Sequence, residues 1–202
     1  MDFDDLITER VPPPKRQAKT DGEHEDHFYE GAVMVAYAMH LLRTEPIDQV
    51  RIHPDGEHGK QFDFAGWLAR QGFRIASGIG STTYGGTYRD GAGRTIVVNP
   101  KAGVGDVVAD GVSAECKGGI INTRHSGQVS RLDKGLCEVV GRLMASETAG
   151  RQVAVIPYTE ATLRLAKRLA PRCARAGIEI ALVGRRGEVI AVRPDGNDEP
   201  RP

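Results

Sequence analysis

Asp106, Glu115 and Lys117 carry the clearest chemistry in this chain. Two carboxylates can hold a hard divalent cation such as Mg²⁺, which takes oxygen ligands, often one or two carboxylates with waters and substrate phosphates, and an ammonium beside them can hold a water or contact a phosphate. The residues act together only if the backbone joins them, and the stretch GVGDVVADGVSAECKGG, residues 103–119, supplies the means. Asp110-Gly111 at its centre is a strong signal for a two-residue β-hairpin, because both turn positions want a positive φ. That turn sets Ala109 opposite Val112, Val108 opposite Ser113, Val107 opposite Ala114 and Asp106 opposite Glu115. Side chains alternate across a strand. Val107, Ala109, Val112, Ala114 and Cys116 therefore share a small apolar face, and Asp106, Val108, Ser113, Glu115 and Lys117 share the other. Facing carboxylates would lie about 4.5–5.5 Å apart at Cβ and repel. A shared proton or a bound cation would offset that repulsion. Lys117, two residues beyond Glu115, can hold a water or touch a phosphate, and the set is what metal-assisted phosphodiester hydrolysis requires.

Asp106 followed by Glu115-Cys116-Lys117 resembles the PD-(D/E)XK nuclease superfamily, with Gly105 in place of the proline, a departure expected to be harmless. The resemblance implies an α/β fold, a restriction-endonuclease-like α/β/α sandwich with a central mixed sheet, its core spanning residues 61 to 192. It implies Mg²⁺-dependent cleavage of DNA rather than RNA, with Mn²⁺ able to substitute, in restriction, phage defence or repair. Asp106 and Glu115 would hold the metal with the backbone carbonyl of Cys116, and Lys117 would orient the attacking water. Phe62-Asp63, Leu68 and Gly72-Phe73 are similar to the first helix of Mrr-like restriction endonucleases. By that likeness Asp63 is a helix acid of the site, while on its own it reads as a first-turn carboxylate. The family also gives Gln128 a claim to the site. The alternative from another class is a non-catalytic nucleic-acid-binding or assembly subunit that keeps the fold.

With 202 residues, 40% of them hydrophobic and 27% charged, the chain suits one globular domain with tails. Its net charge of zero lends a nucleic-acid partner no general support, so local patches must supply it. Cys116, Cys137 and Cys173 are isolated within apolar patterns and read as reduced core residues of a cytoplasmic protein. The opening MDFDDLITER lacks the order of a signal peptide, and the longest apolar run is too short to span a bilayer, so no membrane is expected.

Residues 1 to 26, with Pro12-Pro13-Pro14, the basic Lys15, Arg16 and Lys19, and an acidic cluster, read as a flexible arm. Residues 27–192 read as a single domain, and 193–202 as a disordered tail. A helix over 27–43 is apolar over so broad a stripe that it is either buried or packed on a partner subunit, a homodimer mate or a companion protein. Glu30 and His40 lie on it. Residues 50–60 read as a strand and a polar turn with neither a P-loop nor a zinc spacing. Glu57 or His58 is kept there as an outside candidate for the cleft. A short helix over 61–71 precedes a strand at 73–77 and a hairpin around Asp90-Gly91-Ala92-Gly93, where Tyr84, Tyr88 and Arg89 could stack on or contact nucleic acid. After the central hairpin, Gly118-Gly119 allows a close backbone approach and a helix covers 129–145. Arg124, Arg131 and Lys134 border the expected cleft as phosphate contacts. Val153 to Ile156 reads as a doubly buried strand. The following helix, capped by Thr159 and kinked or ended by Pro171, carries Arg164, Arg168, Arg172 and Arg175 as a candidate nucleic-acid footprint. A final hairpin turns at residues 184–187.

Overall fold

A computed structural model describes residues 6–12, 22–100, 105–146 and 148–195. Within them the chain is mixed α/β, with a large mixed sheet and five helices. The strands are β1 (Ile7–Arg10), β2 (Glu25–Phe28), β3 (Gln49–Ile52), β4 (Arg74–Gly78), β5 (Gly86–Arg89), β6 (Thr95–Val98), β7 (Val107–Ala109), β8 (Val112–Cys116), β9 (Gly119–Ile120), β10 (Arg151–Pro157), β11 (Ile178–Val183) and β12 (Val189–Val192). The helices are α1 (Glu30–Thr44), α2 (Gly56–Gln61), α3 (Phe64–Arg70), α4 (Ser126–Ala145) and α5 (Glu160–Arg175). Nine strands form one sheet in the order β12-β11-β10-β8-β7-β3-β6-β5-β4, and β1-β2-β9 form a small second one.

β10 explains the layering. It is parallel to β8 on one side and to β11 on the other, so both its faces need cover. Val153 and Val155 point into a core shared with α1, while Ala154 and Ile156 point into a second core under α4 and α5. That is why its sequence runs apolar without alternation. α1 is buried from Glu30 to Leu42, so the breadth of its apolar surface is used within the chain itself. α5 opens with a capping box between Thr159 and Thr162.

Several expectations need correcting. The amino-terminal arm contributes structure: β1 pairs antiparallel with β2, β2 pairs with β9, and Leu6 is fully buried in the main core. The stretch 13–21, with the basic cluster Lys15, Arg16 and Lys19, lies outside the described residues, as do 196–202 of the tail. α5 continues through Pro171, which is exposed, so one missing N–H bond is tolerated without ending the helix. Cys116 and Cys173 are buried, but Cys137 is exposed on α4. Tyr88 is buried and donates its hydroxyl to the Tyr84 carbonyl at 2.8 Å, and Tyr84 stacks on Phe64, so both rings serve packing. Among the described residues, no helix is long and apolar enough to cross a membrane.

Truncating a fully buried leucine removes packing that cannot be recovered, whereas truncating a residue in a loose arm changes little. Leu6→Ala should therefore cost about 2–5 kcal/mol in urea unfolding, against a change within about 0.5 kcal/mol for an unstructured arm.

Candidate active-site cleft

The central hairpin folds in the register its turn dictates. Val107 pairs with Ala114, Val108 with Ser113 and Ala109 with Val112, around Gly111 at φ +67°. Asp106 donates its backbone N–H to the carbonyl of Ala114, the partner of Val107, at 2.9 Å. The paired register therefore ends at Val107–Ala114, and Asp106 lies just before it, on the wall of the cleft that Glu115 also lines. Its carboxylate turns back and accepts from the Cys116 N–H at 2.7 Å. Val107, Ala114 and Cys116 face the core at 0% exposure, leaving Asp106, Glu115 and Lys117 on the opposite side. The glycine before the aspartate is not interchangeable with proline here. Gly105 sits at φ +89°, which the proline ring cannot adopt.

These residues line a cleft of about 460 Å³ with Glu30, His53, Asp55 and Arg142. Two glycines shape it. A Cβ on Gly118 would lie 2.4 Å from both the Glu30 nitrogen and the Phe28 carbonyl oxygen, so only glycine lets the chain after β8 pass the start of α1. That passage brings Glu30 Oε2 to 3.5 Å from Lys117 Nζ. A Cβ on Gly135 would come within 3.0 Å of Lys117 Cγ, so this α4 glycine makes room for the lysine stem. Lys117 Nζ also lies 3.7 Å from Glu138. Arg142 binds Glu138 at 2.5 Å and reaches Glu115 at 3.6 Å.

The cleft is crowded with carboxylates. Burial pushes Asp106 up to about 7, with its Cys116 hydrogen bond opposing and Glu115 and Glu30 adding to the rise. Glu30 is likewise raised to about 7 by burial, despite Lys117 beside it. A site that withholds charge from two carboxyl groups is one that added positive charge would stabilise. The oxygen donors of Asp106, Glu115 and Glu30, which line the cleft together, are of the kind that could hold a hard divalent cation. Among the described residues, no group of three or more His, Cys, Asp or Glu forms a ready-made metal cage. The fit is therefore to a cation that keeps most of its ligands as water or phosphate. The Nδ1 atom of His53, on the cleft wall, is buried without a hydrogen-bond partner among the described residues.

The other expected site residues lie elsewhere. Asp63 is the N-cap of α3, accepting from the Gly66 N–H at 2.9 Å, and does not line the cleft. Gln128 accepts from Arg131 at 3.4 Å near the start of α4, also away from it. Arg124, Arg131 and Lys134 are exposed around the first half of α4, not on the cleft wall. The reason is length. α4 has twenty residues, about 30 Å at 1.5 Å each, and only its later part, from Gly135 to Arg142, lies beside Glu115 and Lys117. Arg164 and Arg168 are exposed on α5, Arg164 lining a separate groove. Glu57 pairs with Lys60 in solvent, and the side chain of His58 lies outside the described set. Sequence reasoning missed Arg142, Glu138, His53 and Asp55. The Glu138–Arg142 i,i+4 spacing signalled a pair, but not which way it faced.

No family model, curated protein or solved structure matches the chain.

The raised carboxyl groups give a signed pH dependence. In the unfolded chain Asp106 and Glu30 titrate near 3.8 and 4.5, in the folded protein near 7. The contribution of these groups to stability is therefore full below the unfolded values and is lost as pH rises toward 7. Asp106→Asn should raise the melting temperature of metal-free protein at about pH 8, by a few degrees at about 2–4 °C per kcal/mol, and much less at about pH 4. A pH-independent difference in melting temperature would contradict the assignment.

Proposed function

We propose that this protein is a metal-dependent nuclease that hydrolyses phosphodiester bonds of DNA, built on a restriction-endonuclease-like core. One observation carries the reading: Asp106, just before the first strand of the hairpin, and Glu115 and Lys117, at the end of its second, line one open cleft. The order of elements supports it as well, since the hairpin β7-β8 is followed by α4 and then by β10 running parallel to β8.

Asp106 and Glu115 would hold one or two Mg²⁺ ions, with the Cys116 backbone carbonyl as a further ligand. Bound there, the metal supplies Lewis acidity toward the phosphate and a lowered pKa for a coordinated water. The rest falls to the chain. The Cys116 N–H fixes the rotamer of Asp106, so one of its oxygens is committed and the other is presented to the cleft. Lys117, steadied by Glu30 and Glu138, orients the water and stabilises negative charge growing on the phosphoryl oxygens. Arg142 is a second cation for that charge once it leaves Glu115.

The same Arg142–Glu115 pair favours a second reading. A cleft whose carboxylates are already countered by its own arginine and lysine also suits a non-catalytic nucleic-acid-binding subunit. Metal titration separates the two, because such a subunit would bind DNA with no metal-dependent turnover.

Purified protein should cut DNA in Mg²⁺ or Mn²⁺ and stop in EDTA. Asp106→Ala, Glu115→Ala and Lys117→Ala should each slow cleavage by about 10²-fold or more with the fold retained, as removal of a charge-stabilising group does elsewhere. Full cleavage in EDTA, or three variants as active as the parent, would end the proposal.

A further inference from the structure

A larger concavity, about 760 Å³, opens beyond the acidic cleft. β8, β10 and β11 run parallel, so their carboxyl ends lie along one edge of the sheet. Lys117 follows the end of β8, Tyr158 that of β10 and Gly184 that of β11. Neighbouring strands are about 4.8 Å apart, so a chain passing Lys117 along this edge meets Tyr158 and then Gly184 within about 10 Å. A third depression shares Glu30 and Lys117 with the cleft and includes Gly119, the residue before Ile120 of the groove.

The lining of the groove is divided. Ile120, Ile121, Val129 and Leu132 give it an apolar wall. Arg164, Arg185 and Arg186 bring guanidinium groups, and Glu160 and Glu188 bring acceptors. Arg185 is anchored to Asp26 at 2.5 Å, and the Tyr158 hydroxyl is directed at Glu160 at 2.9 Å, which fixes the ring. Arg164 is exposed and has no ion pair among the described residues. Ligand pockets of about 300–1,000 Å³ combine apolar walls with a few placed polar groups. Here those groups are a flat ring, guanidiniums that match phosphate in bidentate geometry, and carboxylates that can accept from exocyclic amino groups.

We propose that this groove receives one unstacked nucleotide of a nucleic acid strand, its base against the apolar wall and Tyr158 and its phosphate at Arg164. A paired base cannot enter, because its faces are stacked and its edge is occupied. The protein therefore prefers strands with an unpaired base, as sites that stack or extrude bases do. That the strand is the one cut at Asp106 rests on the reading above; that the groove holds a nucleotide does not.

The test measures binding of a labelled single-stranded oligonucleotide, and of the matching duplex, by fluorescence anisotropy in EDTA. Cleavage plays no part there, so a protein that never cuts can pass and one that cuts can fail. Arg164→Glu and the charge-neutral Ala161→Phe, which fills the groove from the first turn of α5, should each weaken single-strand binding about tenfold, the size of one base-stacking contribution. Both should melt like the parent. In the unaltered protein, a deoxynucleoside monophosphate should displace the oligonucleotide at far lower concentration than deoxyribose 5-phosphate does. If Ala161→Phe binds single strands like the parent while Arg164→Glu does not, the arginines act only as surface charge and the base site is overturned. Equal displacement by the two competitors overturns it as well.

Discussion

Asp106 is held by all of its hydrogen-bonding groups, and the site exists because of that. Its N–H donates to Ala114 at 2.9 Å, its carbonyl accepts from the His53 N–H at 2.8 Å, and its carboxylate accepts from the Cys116 N–H at 2.7 Å. The residue thus ties β3, β7 and β8 together where β7 begins. β8 bonds to β10 through the Lys117 N–H and the Val155 carbonyl, while the Cys116 N–H points toward β7, where the ladder has run out. An unmet donor beside a buried residue costs about 1–3 kcal/mol, and the carboxylate meets it. The group proposed for chemistry is therefore also the group that closes the end of the hairpin. Such coupling holds its rotamer, the kind of support a functional side chain requires.

The rest of the cleft follows from charge brought close by glycine. Without Gly118 the start of α1 could not approach β8, and Glu30 would not stand beside Lys117. Without Gly135 the stem of Lys117 would meet α4. Two positions lacking a side chain thus set the distance between two that carry charge. Tight approach has an electrostatic cost: Asp106 and Glu30 are both raised to about 7, with burial the first cause in each. Natural proteins keep such destabilised groups mainly where they work.

How much of this was legible depended on how local the signal was. The hairpin register from Val107 to Ala114, the faces of β8, the doubly buried β10, the Thr159 cap and the close approach at Gly118 all rest on neighbours in sequence, and each is found. The pairing expected one step further, Asp106 with Glu115, gives way to a bond from Asp106 to Ala114. The amino-terminal strand was not legible. Proline and clustered charge within residues 12 to 26 suggested a loose arm, yet β1 pairs with β2, and β2 with β9, nearly a hundred residues on. The Asp26 N–H to Asn122 bond at 2.9 Å is of that long-range kind. Asp63 misled for the opposite reason: a first-turn carboxylate and an active-site acid look the same in sequence, and here the local hydrogen bond to Gly66 holds it. Arg142 and Glu138 were hidden by helix phase and by where along its length α4 passes β8.

The neutral charge of the whole chain, which gave a nucleic-acid partner no support, takes on a different meaning once the charges have positions. Arg164, Arg168, Arg172 and Arg175 are exposed on α5, while Glu30, Asp55, Asp106 and Glu115 gather at the cleft. Their sum is near zero, but a phosphate chain does not respond to the sum. Such a chain would be attracted along α5 and would meet, at the cleft, carboxylates that Lys117 and Arg142 partly counter, with ordinary salt screening charge beyond about 8–10 Å. On the nuclease reading, the strand docks at the arginines first and its phosphate reaches Asp106 only when a cation lies between two sets of negative charge. Phosphate and cation then each favour the other's binding at the cleft. The positive surface that makes docking possible stays outside the site, where it does not compete with the cation for carboxylate oxygens. Arg142 is the exception, since its 3.6 Å contact with Glu115 must yield before that oxygen is available. The exchange of one cation for the other at Glu115 is therefore the step on which an active cleft, as opposed to a binding surface of the same shape, depends.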